Sequence, residues 1–208
     1  MDQLHQVAVA AGLAWASGIR LYAGIFIVGL LGRLGYVHLP HDLLLLQHDW
    51  VLGASGVMLV AEFMADKVPG FDSVWDAVHT FIRIPIGALL AWGATGDSAP
   101  ALQLAAAILG GVITGGTHFA KAGTRAAINT SPEPFSNWTA SFGEDGVLLV
   151  GLWIAFHYPL AFLVLLALFL AFVIWLLPKL FRYLSRLWRR LRGSPANAND
   201  DTLPAPRR

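Results

Sequence analysis

The 208-residue sequence contains no cysteine and is poor in charged residues. The lack of cysteine excludes disulfides, thiolate metal sites and thiol nucleophiles. Charged residues make up 13% of the chain, about half the roughly 25% that is typical of soluble domains. Hydrophobic residues make up 56%. Because so few polar side chains could not cover a water-soluble core, the composition predicts a membrane protein.

The hydrophobic pattern predicts an all-α, polytopic membrane helix bundle with about six transmembrane helices. Proline-containing breaks at 68–70 and 130–135 divide the middle of the chain into two Pro-broken helical hairpins. The first apolar run is interrupted only by Arg20. The predicted segments are 7–31, 50–65, 73–94, a fourth starting near 101, 137–156 and 160–177.

The basic residues crowd the C-terminal part of the chain. Residues 179–192 form a basic amphipathic extension, which we expect to lie on anionic lipid headgroups. We expect residues 1–192 to be one transmembrane domain and residues 193–208 to be a disordered cytoplasmic tail. The positive-inside rule then places the turns near Lys67 and near Lys121 and Arg125 in the cytoplasm, with both termini on that side.

Ionisable residues form two stripes inside the apolar sequence. A spacing of i, i+4, i+7 and i+11 places each set on one face of a helix. With a rise of about 1.5 Å per residue, the deepest group of the first stripe lies roughly 15 Å into the bilayer. The stripes are Asp72, Asp76, His79 and Arg83, and Thr114, His118, Lys121 and Arg125.

Further charged residues fall at similar depths. An isolated charge there costs roughly 2.5–3.5 kcal/mol, so we predict that Arg20 and Arg83 pair with Glu144, Asp145 or Glu62. The candidate pathway for a substrate or ion is Arg20, Glu62, Asp66, Lys67, Asp72, Asp76, His79, Arg83, His118, Lys121, Arg125, Glu144 and Asp145.

Three classes of function remain open. A small transporter or channel would use the stripes as a polar path, and the helix N-termini near Ser73 and Ser136 would favour an anionic solute. A variant carries a divalent metal on Asp72, Asp76 and His79. The second class is an intramembrane enzyme acting on lipid or isoprenoid phosphates. For that function the sequence shows no nucleophile motif and no recognised metal motif, and no cofactor is predicted. A structural or accessory subunit would use the same charges only to hold helices together.

Two patterns concern assembly. Gly111 and Gly115 form a small-xxx-small face, which would support a homo-oligomer. The segments 69–75 and 132–138 share Pro, Ser and Trp at equal spacing, so either the chain contains an internal two-helix repeat or the match is chance. Nothing in the sequence indicates binding to nucleic acid.

Two long motifs resemble an uncharacterised bacterial membrane family, catalogued as domain of unknown function 4126. They are EFMADKVPGFDSVWDAVHTFIR at 62–83 and THFAKAGTRAAINTSPEPFSNW at 117–138, followed by Glu144 and Asp145. The resemblance extends over about residues 8–190. It implies a multi-pass protein of the bacterial inner membrane and supplies no activity, substrate or cofactor.

Overall fold

The computed structural model describes residues 3–68, 70–130 and 134–192, and these are helical apart from short connections. Within this part of the chain, five helices are long and apolar enough to cross a membrane. The number rises to six if the 3₁₀ helix and α2, which meet at 64°, form one broken span. The prediction of an all-α polytopic bundle is therefore confirmed. The elements are α1 (Gln3–Arg33), a 3₁₀ helix (His41–Gln47), α2 (Asp49–Ala65), α3 (Phe71–Ala94), α4 (Pro100–Ile128), α5 (Pro134–His157) and α6 (Pro159–Arg192).

Helix α1 lies at the centre of the bundle and contacts every other helix. In its most apolar stretch 78% of the residues are buried, against 17% in the corresponding stretch of α6. Alanine and glycine allow this close packing. At Gly18, for example, an added Cβ would lie 2.6 Å from the Cβ of Thr117 on α4. The most apolar helix, α6, has most of its surface free for lipid.

The first segment does not continue straight through Arg20, as the apolar run predicted. Arg20 has non-helical backbone angles (φ −146°, ψ 93°). An added Cβ at Gly24 would lie 3.3 Å from the Cβ of Ala16, whereas residues eight apart in a straight helix are separated by about 12 Å. Helix α1 is therefore a re-entrant hairpin. Its first arm (3–19) and second arm (21–33) pack against each other, and Arg20 is at the tip.

The bundle has two distinct ends. At one, here called the clamp end, the α2–α3 and α4–α5 turns meet through a hydrogen bond from Asn129 to Asp72. At the opposite loop end, Ser98 of the α3–α4 turn donates to Gln6 near the start of α1. The 3₁₀ helix also lies at the loop end, where Leu43 contacts Gly93. Both arms of α1 thus end at the loop end.

The predicted location of both termini on one side assumed that α1 crosses the membrane once. Because the chain returns at Arg20, α1 both begins and ends at the loop end. Helix α6, in contrast, runs toward the clamp end, where Leu180 contacts Gly123.

The predicted tail (193–208) lies outside the described residues, as do Pro69 and Pro132 of the proposed repeat. The repeat therefore stays a prediction.

Two local predictions need correction or comment. Helix α3 begins at Phe71, two residues before the predicted start at residue 73, and it follows Gly70, whose φ of 82° suits glycine. The Gly111–Gly115 face packs within the chain against Ile84 and Ala88 of α3. A homo-oligomer through that face stays a prediction.

Candidate functional site

Charged side chains from five helices converge on the tip of the α1 hairpin. The cations are buried almost completely, with side-chain exposures of 0–3%. Each makes at least two ion-pair contacts with carboxylates. We call this set the core cluster: Arg20 on α1, Glu62 and Asp66 at the end of α2, Asp76 and Arg83 on α3, Lys121 and Arg125 on α4, and Glu144 and Asp145 on α5.

Arg20 holds the hairpin tip against α2 and α5. Its Nη2 lies 3.0 Å from Asp66 Oδ2 and its Nε lies 2.7 Å from Asp145 Oδ1. The same Nη2 donates to the hydroxyl of Ser141 at 2.7 Å. The predicted pair of Arg20 with an acid on α5 is therefore confirmed. The tip is held by ion pairs to two different helices, α2 and α5.

Lys121 completes the hydrogen bonding of the broken backbone. Its Nζ donates to the carbonyl oxygen of Ile19 at 3.0 Å, immediately before the return. Nζ also lies 3.2 Å from Asp66 Oδ2 and 3.4 Å from Glu144 Oε2. Non-helical backbone at membrane depth is stable only where protein groups or water satisfy it, and here an ammonium group does so.

Asp66 is the centre of the cluster. Its carboxylate contacts Arg20 and Lys121, and its Oδ2 lies 3.7 Å from Nη2 of Arg125. Arg125 in turn makes a two-pronged pair with Glu144, at 2.9 and 3.0 Å. One carboxylate at the end of α2 thus connects α1 and α4 and, through their cations, α5.

Arg83 organises the other half of the cluster. Its Nη2 lies 2.5 Å from Glu62 Oε1, and its Nη1 lies 3.0 Å from Asp76 Oδ1. The predicted pair of Arg83 with Glu62 is confirmed. Nη1 is also 3.1 Å from Nδ1 of His118, whose Nε2 is 2.7 Å from the hydroxyl of Thr80. Arg83 thus joins α2, α3 and α4.

A second network, which we call the amide clamp, closes the clamp end. Asn129 donates to Asp72 Oδ1 at 2.7 Å and to the hydroxyl of Ser73 at 3.0 Å. Asn137 then donates to Asn129 Oδ1 at 2.8 Å, and Arg125 donates to the Asn137 carbonyl at 2.9 Å. These bonds fasten the two turns to each other and to the core cluster.

Lys67 differs from the other basic candidates, because no carboxylate of the described chain lies within ion-pair distance of it. Its Nζ lies 3.0 Å from the centre of the Phe63 ring and 4.8 Å from that of Phe142. Two long hydrogen bonds reach the Phe63 carbonyl (3.4 Å) and Ser141 (3.5 Å). Burial lowers the pKa of the Lys67 ammonium, and the neighbouring Arg20 guanidinium lowers it further.

The structure separates some of the predicted partners. His79 stacks on Trp75 with ring centres 4.1 Å apart, and its Nδ1 is 2.8 Å from the Trp75 carbonyl. Asp72 binds Asn129, and Asp76 binds Arg83. Asp72, Asp76 and His79 therefore do not form a shared ligand set. No group of three carboxylate or histidine side chains in the described residues is arranged to hold a metal ion.

Sequence reasoning missed four polar partners: Thr80, Asn129, Asn137 and Ser141. Asn137 was not among the predicted pathway residues, although it is buried and its carbonyl oxygen accepts a hydrogen bond from Arg125. Asn129 and Thr80 lie within the two quoted motifs, which was the available signal. Ser141 lies outside both motifs, so no sequence signal pointed to it. Only the return at Arg20 brings α1 to this residue.

Grooves open to the outside of the bundle flank α5 on both sides. One, of about 350 Å³ between α4, α5 and α6, has apolar walls and reaches Lys121 and Glu144. The other, of about 300 Å³ between α1, α2 and α5, reaches Asp145. Glu144 and Asp145 are the most exposed members of the core cluster, at 19% and 28%. Helix α5 is therefore the least enclosed wall of the site.

Apolar spanning helices around a buried ionic core define an integral, multi-pass membrane protein. The chain belongs to the family described as Domain of unknown function (DUF4126), whose model matches residues 7–179. No curated protein matches the chain, and no solved structure does.

Proposed function

We propose that the protein is a small transporter or channel for a polar solute, and that the α1 hairpin is its movable part. The observation that carries the proposal is the broken backbone at Arg20, which lies inside the bundle among charged groups. Interrupted helices that meet ionisable side chains at membrane depth are typical of substrate and ion sites in transporters. A purely structural bundle could achieve the same packing with a continuous apolar helix.

The arrangement supports a specific opening step. In the state described here the cluster is closed, because its cations are held by carboxylates. Loss of the Arg20–Asp145 and Lys121–Glu144 contacts, together with the Arg20–Ser141 hydrogen bond, would free α5 from the hairpin tip and from the Lys121 ammonium that binds the tip. An anionic solute would take the place of one of these two carboxylates. The buried cation would then exchange one anionic partner for another and would not be left unpaired. The free-energy cost of opening would therefore be low.

We further propose a location and an orientation. The family resemblance supports the bacterial cytoplasmic membrane. The positive-inside rule supports a cytoplasmic clamp end, because Lys67, Arg125 and the basic residues of 179–192 lie toward it. The loop end, with the start of α1, would then face the opposite side.

The absence of native cysteine allows a direct test. Single Cys residues would replace Thr114 and Ser141, both completely buried, and would be treated with a membrane-impermeant thiol reagent from each side. We expect labelling at both positions, because a pathway must admit water. Leu165→Cys is the lipid-facing control, and Asp97→Cys and Thr130→Cys mark the two ends. Labelling at the ends from opposite sides would verify the orientation.

A second candidate function is that of a structural or accessory subunit. The full pairing of Arg20, Arg83, Lys121 and Arg125 favours it, because a permanently closed ionic core holds helices together without moving anything. If Thr114→Cys and Ser141→Cys are not labelled in folded, inserted protein, the result would contradict the transport proposal and favour a structural or accessory subunit.

A further inference from the structure

The core cluster has one carboxylate too many. Its five acids face four cations within ion-pair distance, so the fully ionised cluster carries an excess of one negative charge. The Lys67 ammonium near Asp66 and Asp145 and the Asp72 carboxylate near Arg125 lie just outside the cluster, and their charges offset each other. Water has little access to most of this charge, since the cations and three of the acids are at most 3% exposed. Buried charge without a partner is strongly unfavourable, and a carboxyl in that position takes up a proton instead.

The ion-pair contacts indicate which acids share the excess negative charge. Asp66 is close to three cations and Glu144 to two. Asp145 has Arg20 at 2.7 Å and is 28% exposed. Glu62 and Asp76, in contrast, have one close cation between them, Arg83, and Lys121 lies 3.9 Å from Asp76. Two buried carboxylates that share one guanidinium are the place where a proton relieves most repulsion.

Hydrogen bonding leads to the same pair. Oε2 of Glu62 and Oδ2 of Asp76 are buried and have no hydrogen-bond partner among the described residues. A buried carboxylate oxygen without a donor is costly, and protonation turns it into a neutral hydroxyl group. Oδ1 of Asp66 and Oδ2 of Asp72 also lack partners. Asp66, however, has its three cations, and Asp72 belongs to the amide clamp outside the cluster.

Other groups that face the pair do not supply the missing proton. Arg20 and Tyr22 face the pair from α1, Asp66 from α2, His79 from α3, and Lys121 and His118 from α4. His79 needs only its Nδ1–H, which donates to the Trp75 carbonyl. His118 is neutral in this hydrogen-bond arrangement. Its Nδ1 must accept from Arg83, which has only donors, so its Nε2–H donates to Thr80, whose hydroxyl donates to the Asp76 carbonyl.

We propose that Glu62 and Asp76 together hold one exchangeable proton across Arg83. The pair titrates as a unit, so the proton belongs to neither acid alone. This proton-binding site depends only on the composition of the core cluster. Its use as the coupling ion of a transporter rests, in addition, on the proposed function.

The test is infrared spectroscopy of the purified, lipid-reconstituted protein at neutral pH. A protonated carboxylic acid gives an isolated C=O stretching band that shifts in D₂O, and we expect one such band. Glu62→Gln should remove it, and so should Asp76→Asn, because either change leaves four acids facing four cations. Asp97→Asn, at the exposed loop end, should leave the band intact. No band in the native protein, or a band that survives both variants, would overturn the proposal.

A measurement on the native chain avoids dependence on folding of the variants. Dicyclohexylcarbodiimide reacts with protonated carboxyls in apolar surroundings, and peptide mass mapping locates the adduct. We expect modification at Glu62 or Asp76 that declines as the pH is raised. Modification confined to Glu144 or Asp145, or none at all, would contradict the site. Neither measurement involves transport, so a proton site can be confirmed even if the cysteine labelling refutes a pathway.

Discussion

Replacement of Asp66 by Asn should be the most damaging single change of an acid in the core cluster. The variant keeps the shape of the side chain but removes the one carboxylate that three buried cations share, at 3.0, 3.2 and 3.7 Å. Removal of one partner from a buried ion pair costs about 3–5 kcal/mol. Release of the proton from Glu62 and Asp76 restores the charge balance, which places the expected loss near the lower limit of that range.

The loss of stability expected for Asp66→Asn can be compared with that of another acid in the core cluster. Asp145→Asn removes a carboxylate that is 28% exposed and has Arg20 as its cation. Arg20 keeps Asp66 and Ser141 in that variant, so we expect less than half the loss caused by Asp66→Asn. Asp97→Asn, at the exposed loop end, should change stability by no more than about 0.5 kcal/mol.

The assay is thermal denaturation of the detergent-purified variants. The measured quantity is the fraction of protein that remains monodisperse on size-exclusion chromatography after heating. For a chain of this size, about 1 kcal/mol lowers the Tm by roughly 2–4 °C. A loss near 3 kcal/mol should therefore lower the Tm of Asp66→Asn by roughly 6–12 °C. If Asp66→Asn and Asp145→Asn lower it equally, Asp66 is not the centre of the cluster and the reasoning is refuted.

Two further changes test the packing and the special position of Lys67. Gly18→Ala should sharply reduce the yield of folded protein, because its Cβ would lie 2.6 Å from the Thr117 Cβ and 2.7 Å from the Thr114 carbonyl oxygen; a normal yield would show that α1 and α4 can separate. Lys67→Gln should lower the Tm far less than Lys121→Gln, because only Lys121 binds carboxylates and the broken backbone. Equal shifts in the same thermal assay would contradict this assignment.

The sequence predicted the helices and the main ion pairs because both follow from local physics. Apolar runs of spanning length must be helical in lipid, and charges of both signs at one depth must pair. The ends of α2, α3 and α5 lie within three residues of the predicted ends. Depth and sign alone gave Glu144, Asp145 or Glu62 as partners of Arg20 and Arg83, and the structure pairs Arg20 with Asp145 and Arg83 with Glu62.

The return at Arg20 could not be predicted in the same way. The run 7–31 contains no proline, and its length fits one crossing, so local sequence favoured a straight helix. The hairpin becomes favourable only when Asp66, Lys121 and Asp145 arrive from three other helices. The amide clamp has the same origin, since Asn129 and Asn137 look like helix-end residues until the two turns are known to meet.

The α1 hairpin has a consequence for biosynthesis. Residues 3–33 leave the ribosome before the groups that bind their tip, because those groups lie further along the chain on α2, α4 and α5. An isolated α1 would have to place the Arg20 guanidinium in hydrocarbon without a counter-ion, which is unfavourable. The completed hairpin must therefore wait for α5. We expect α1 to enter the bilayer first in another form, as a straight span or along the interface, and to turn back on itself only during assembly of the bundle.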